Sequence, residues 1–293
     1  MIEPERKSVS LAGGALSFLE WENTGLGLHF AHANGFNAQT YKSLLQPLSG
    51  RFHILASDAR GHGFSTLPAP PGYAKGWACF RDDLIALLDA LEAGPVLLAG
   101  HSMGGIASLM AAAARPDLVA GLVLVEPVFV PRFAHLLMTL ARWTGREGTG
   151  FDLATRAARR RDVFASAEEM EKSYRGRGAF KFWPDNVLHD YVAGGTVPTE
   201  DGRIRLSCAP RVEAESFAST PIAAYRLASR IACPVTLIHG LGPGSTCRAE
   251  VARQFTRRKA DTRVVAVEGA GHFLPMERPE MLRAEINRMA DSL

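Results

Sequence analysis

The stretch Gly100-His101-Ser102-Met103-Gly104-Gly105 constrains this chain more than any other. An apolar run, residues 95–99, leads into it, and an alanine-rich run, residues 106–114, leads out. A strand that turns through G-x-S-x-G directly into a helix holds its serine on a sharp bend with the hydroxyl outward. The glycines follow from that bend: side chains at positions 100 or 104 would collide with the neighbouring strand and helix, and Ser102 is expected in a strained backbone conformation. The start of the helix aims unpaired N–H groups and a partial positive charge at any oxyanion formed there, with the N–H of Met103 as one donor. Five letters alone also fit an ordinary glycine-rich turn, so the remaining weight rests on what else the chain supplies.

What surrounds the motif is an alternation. Residues 9–11 and 15–21, separated by Gly13-Gly14, read as a hairpin. Short apolar runs follow at 26–31, 52–57, 96–99, 119–125, 235–239 and 263–267, with helix-like stretches at 38–48, 78–91, 103–114, 248–259 and 276–289. Runs of this kind are buried parallel strands, and their alternation with helices predicts an α/β chain with a mostly parallel central sheet. After Glu126-Pro127 the pattern breaks. Residues 128–231 show helical periodicity without a core-type strand, a short hairpin at Thr199-Glu200-Asp201-Gly202 apart. The expected division is a core of residues 1–127 and 232–293 and a mainly helical cap of residues 128–231. Aromatic residues of the cap, among them Phe133, Trp143, Phe151, Phe164, Phe180 and Trp183, are enough to pack it and to line a pocket beneath it.

The 293 residues, 47% hydrophobic and 22% charged, allow a large core, and a net charge of +3 is too mild to point to nucleic acid. Arg156, Arg159, Arg160 and Arg161 are expected on a solvated helix face. The first residues lack the layout of a signal peptide, and no run is apolar enough for a membrane span, which predicts a cytoplasmic protein. Cys79, Cys208, Cys233 and Cys247 are too scattered for a disulfide framework and are expected as reduced thiols. Histidine spacing disfavours a metal; His29 and His32, three apart on a strand, are expected on opposite faces. No phosphate-cradling loop implies a cofactor.

Gly269-Ala270-Gly271-His272 follows the last strand, where a parallel sheet presents its ligand-facing groups, so His272 is the expected general base for Ser102. His32-Ala33-Asn34-Gly35-Phe36 is a small-residue turn that can face a backbone amide toward the nucleophile, with the N–H of Asn34 as second oxyanion donor. Asp58, Arg60 and His62 are expected to be structural, bonding backbone in the turn 58–65.

Together the His32–Gly35 turn, residues 58–65, the Gly100–Gly104 elbow and Gly269–His272 resemble the α/β-hydrolase superfamily, in its lid-bearing esterase, epoxide hydrolase and dehalogenase branch. The resemblance covers nearly the whole chain and implies the α/β-hydrolase fold with a serine nucleophile. It departs at one place: members usually carry the triad acid in a Gly-x-x-Asp turn after the penultimate strand. Here residues 239–247 contain no carboxylate. A subset of the superfamily places the acid at the end of the strand after the nucleophile helix, and that position is Glu126. The other roles weighed for Glu126 are capping the lid or binding lid arginines; Asp261, Glu268 and a water-supported dyad are the alternatives for the acid. The resemblance implies hydrolysis of a small-molecule carboxylic ester by Ser102, His272 and Glu126, with apolar or aromatic esters favoured by the cap. A serine nucleophile argues against epoxide hydrolysis and dehalogenation. Lactone opening, carbon–carbon bond hydrolysis, perhydrolysis and ligand binding without turnover are the alternatives, and monomer or homodimer is left open.

Overall fold

The computed structural model describes residues 2–130 and 149–293. Strands β1 (Glu5–Leu11), β2 (Gly14–Trp21), β3 (Leu26–Ala31), β4 (Phe52–Ser57), β5 (Val96–His101) and β6 (Val119–Val125) form where the apolar runs lie. Short strands β7 (Val163–Phe164), β8 (Thr196–Pro198) and β9 (Ile204–Leu206) follow, and then β10 (Val235–Gly240) and β11 (Arg263–Val267). The large sheet has eight strands in the order β1-β2-β4-β3-β5-β6-β10-β11. β2 runs antiparallel to β1 and to β4, and every other pairing is parallel.

Period-two alternation divides the central strands between two cores. Leu98, Leu122, Leu124 and Leu237 face α2 (Ala78–Ala90) and α3 (Met103–Ala114), where they join Phe80, Leu84, Ile106 and Leu109. Leu97, Val123, Val125 and Ile238 join Trp21, Phe30 and Ile54 on the other face, beside Leu45 of α1 (Lys42–Leu45) and Leu282 and Ile286 of the helix Pro279–Asp291. With both faces covered, β5 and β10 are buried at every residue, which is why they read as unbroken apolar runs. Each fully buried Leu or Ile contributes about 1.5–3 kcal/mol relative to exposure.

The single helix expected over 38–48 is instead a 3-10 turn Ala38–Tyr41, one turn of α1, and a second 3-10 turn Gln46–Leu48. Asn37 caps the first by accepting from Thr40 N at 3.0 Å. Pro47, lacking an N–H and crowding the carbonyl four residues back, ends regular helix.

Between β6 and β10 lie helices Thr149–Ala158, Ala167–Tyr174, Asp185–Gly195 and Pro210–Ala218 and a small sheet ordered β7-β9-β8. The Asp201-Gly202 turn does join two strands, closed by Thr199 N donating to Arg203 O at 2.8 Å. β7 went unforeseen, because two residues carry no periodicity. Phe164, Met170, Leu188 and Tyr191 enter the same hydrophobic cluster as Trp21 and Leu45, so this segment and the sheet share a core. Phe133, Trp143 and the side chain of Phe151 lie outside the described residues. No helix among the described residues is long and apolar enough to cross a membrane, and no group of three potential metal ligands occurs among them.

Candidate active site

β5 ends on His101, and Ser102 turns the chain into α3 with φ 56° and ψ −116°, a conformation that costs an L-residue on the order of 1–3 kcal/mol. Ser102 N–H donates to Val125 O at 2.9 Å, so the β5–β6 ladder anchors the bend. A Cβ on Gly104 would lie 2.2 Å from Ala31 O, and one on Gly100 2.5 Å from the Gly104 carbonyl. That closeness presses the start of α3 against the end of β3, bringing the His32–Phe36 turn beside the serine. Within the turn, Phe36 N donates to Ala33 O at 3.1 Å and Gly35 N to His62 Nε2 at 3.1 Å. No group among the described residues accepts from the N–H of Asn34 or of Met103.

Glu126 follows β6 directly, with φ 47° and no exposed surface. Its Oε1 accepts from Gly240 N at 2.6 Å and Ser245 Oγ at 2.8 Å, and its Oε2 from Thr246 N at 2.8 Å and Thr246 Oγ1 at 3.2 Å. His272 Nδ1 lies 3.4 Å from Glu126 Oε2 and 3.0 Å from Thr246 Oγ1. Burial pushes the Glu126 carboxyl up, but hydrogen bonds from His272 and the Gly240 and Thr246 amides outweigh it and hold the group below the ordinary carboxylate value. Of the alternatives, Asp261 pairs with Lys259 at 3.1 Å and Glu268 is exposed; neither bonds His272. Glu126 bonds no arginine among the described residues.

His32, His62 and His101, near this edge, are filled on both ring nitrogens, whereas the buried Nδ1 of His239 in β10 has no partner among the described residues. A carbonyl only accepts and a backbone amide only donates, so the tautomers are forced. His32 donates from Nδ1 to Ala33 O at 2.7 Å and accepts at Nε2 from Ala59 N at 2.8 Å. His62 donates from Nδ1 to Arg60 O at 2.9 Å and accepts at Nε2 from Gly35 N, with Asn34 Oδ1 a second neighbour of that nitrogen at 3.2 Å. His101 donates from Nε2 to His272 O at 2.8 Å and accepts at Nδ1 from Tyr41 OH at 2.7 Å. Tyr41 OH in turn accepts from Ala33 N at 3.2 Å, so one chain of hydrogen bonds joins the 32–36 turn, the elbow and the His272 loop. Burial lowers His32 to about 4 and His62 to about 3, and holds His101 well below its usual value. Asp58 and Arg60 are structural as expected: Asp58 accepts from Ala38 N and Phe64 N, and Arg60 pairs with Asp83 at 2.6 Å.

Two expectations need correction. His29 and His32 do not lie on opposite faces: β3 ends at Ala31, and both residues line one cavity of about 30 Å³ behind Met103 and Gly104. Arg160 is not on a solvated face. It reaches inward to Glu213 Oε2 at 2.5 Å, Tyr191 OH at 2.7 Å and Tyr174 OH at 3.1 Å, whereas Arg161 does stay outside with Glu169. Adjacent arginines look alike in sequence, and only the fold separates them. Beside this cluster Phe36 stacks on Phe273 with centroids 6.1 Å apart, and Trp183 meets Phe36 at 5.4 Å and Phe273 at 5.9 Å. Tyr41, Thr246 and Glu213 were not singled out from sequence, and Arg160 only as part of a solvated cluster; the one available signal was the pair of hydroxyl residues in the loop that lacks a carboxylate.

A model of the alpha/beta hydrolase family matches residues 30–285, and the chain belongs to that family. It is 29% identical over 266 residues to a 2-(acetamidomethylene)succinate hydrolase of Mesorhizobium japonicum, over 90% of this chain and 87% of that one. A crystal structure of an E-2-(acetamidomethylene)succinate hydrolase superposes with a TM-score of 0.81 at 26% identity, over 98% of this chain and 99% of that chain. An esterase of Mycobacterium tuberculosis is 28% identical, over 95% of this chain and 87% of that one. The protein is a hydrolase of this family.

Proposed function

We propose that the protein is a serine hydrolase cleaving small-molecule carboxylic esters. The observation that carries the reading is the buried Glu126 carboxylate 3.4 Å from His272 Nδ1, one strand from Ser102. In this mechanism His272 Nε2 takes the Ser102 proton as Oγ attacks the ester carbonyl. The N–H groups of Asn34 and Met103, free of other acceptors, receive the oxyanion. Collapse of the tetrahedral intermediate expels the alcohol, which takes the proton from His272. A water deprotonated by His272 then releases the acid from the acyl-enzyme. Glu126 orients the imidazole and stabilises its charged form.

Residues 128–231 act as the cap over this site. Phe36, Trp183 and Phe273 offer an apolar wall, and the Arg160 charge beside it is already neutralised by Glu213, which supports apolar or aromatic esters. The 2-(acetamidomethylene)succinate hydrolases to which the chain is similar favour a second reading, hydrolysis of an acylaminomethylene succinate. Fluorophosphonate labelling located by peptide mass, followed by p-nitrophenyl esters run against 2-(acetamidomethylene)succinate, tests both. Labelling at Ser102 with fast ester turnover supports the first; turnover of the succinate alone supports the second. No labelling at Ser102 overturns the serine mechanism.

A further inference from the structure

The loop after β10 lacks the carboxylate that members of the superfamily usually carry there, yet the last residue of β10 and this loop supply four hydrogen-bond donors to Glu126: Gly240 N, Ser245 Oγ, Thr246 N and Thr246 Oγ1. An ionised carboxylate has about four lone-pair sites. Gly240 N, Ser245 Oγ and Thr246 N take three of those of Glu126, and the Thr246 hydroxyl and His272 Nδ1, at 3.2 and 3.4 Å from Oε2, share what is left, His272 Nδ1 being the more distant. Thr246 Oγ1 is nearer to the imidazole, at 3.0 Å.

We propose that Thr246 is a positioning residue for His272, its hydroxyl standing between the imidazole and the Glu126 carboxylate. The assignment rests on Ser102 and His272 acting as nucleophile and base. The hydroxyl has one hydrogen and two lone pairs. It lies 3.0 Å from Glu126 O and 3.2 Å from Glu126 Oε2, and both of these only accept. The hydrogen therefore points to Glu126, and a lone pair faces His272 Nδ1. That lone pair requires a proton on Nδ1 and leaves Nε2 bare, which is the tautomer able to take a proton from Ser102. The opposite arrangement, with the hydroxyl donating to Nδ1, turns oxygen lone pairs toward two acceptors of Glu126 and places the imidazole proton on Nε2, where it blocks the base. The neighbouring ring, His101, stands with its centroid 4.9 Å from that of His272 and is held neutral by burial, so it brings no competing charge.

The test compares the native chain with Thr246→Val, Thr246→Ala and Thr246→Ser. Fluorophosphonate labelling rates, Tm and the ¹⁵N shifts of His272 are read on each. Loss of the hydroxyl is expected to slow labelling by about tenfold or more, the weight of one hydrogen bond to a group that becomes charged. It is also expected to move neutral His272 toward the Nε2–H tautomer. Thr246→Ser, which keeps the oxygen, stays close to native in both readouts. If Thr246→Val does not fold, Ser against Ala decides, since both lack the methyl. Native labelling together with a native tautomer in the hydroxyl-free variants overturns the proposal. If the native chain itself does not label, the serine mechanism fails, while the His272 nitrogen shifts still decide what Thr246 does.

Discussion

His32, His62 and His101 stand close to the same sheet edge as His272, yet their state is opposite. Each of the three has both ring nitrogens bonded and its pKa driven down by burial, whereas His272 is held at Nδ1 and its Nε2 has no partner among the described residues. A filled imidazole is a two-ended clamp between backbone segments; one with an open nitrogen can exchange a proton. Near this edge, then, histidine type says little about role, and the partner of the second nitrogen says most of it.

The largest effect that would separate His272 from the three filled histidines is its loss. His272→Ala and Ser102→Ala are each expected to lower ester turnover by about 10⁶-fold, measured with active-site titration to exclude contaminating enzyme. Glu126→Gln, which keeps the shape and removes the charge, should cost about 10² to 10⁴ in kcat with little change in KM. Adding Thr246→Asp to Glu126→Gln places a carboxylate in the otherwise empty loop and should regain part of that loss, about tenfold; no gain would mean that the loop backbone cannot aim a carboxylate at Nδ1.

Among the filled histidines the expected cost shifts from chemistry to stability. Tyr41→Phe removes the hydroxyl that bonds both Ala33 N and His101 Nδ1. It should destabilise the fold by about 1–3 kcal/mol by urea denaturation and lower kcat about tenfold, because the chain of bonds to His272 O is interrupted. An unchanged kcat would make this chain purely architectural.

The pH dependence of stability follows from the same groups. In the unfolded chain histidines bind protons near pH 6.5, while folded His62 and His32 do so only near about 3 and about 4. Below pH 6.5 the unfolded state therefore binds more protons, and stability falls with pH down to those values, by about 1.4 kcal/mol per pH unit for each histidine. Glu126, held below its usual value, adds to the loss in the carboxylate range, whereas Asp58, raised by burial, opposes it there. Calorimetric Tm should drop steadily between pH 6.5 and 4; a flat profile would contradict the buried neutral histidines.

Much of this was legible along the chain, because strands, helices and the elbow are encoded by local periodicity and by glycines whose steric role is met within a few residues. The eight-stranded sheet, the elbow at Ser102 and the loop of His272 lie where the residue pattern puts them. Less local features were lost. The helix over 38–48 breaks at Pro47, β7 is too short to have a period, and Arg160 turns inward while Arg161 does not.

Sequence by itself determined the positions from which Ser102, His272 and Glu126 project, since each follows an apolar run at the carboxyl edge of a parallel sheet. Only the tertiary structure decided how many donors surround Glu126 and that Thr246 comes nearer His272 than the carboxylate does. Those contacts join residues 126, 240–246 and 272, which meet because β6, β10 and β11 pair side by side. Hydrogen bonds between segments so far apart in the chain depend on distances set by packing, and no local pattern of residue types encodes them.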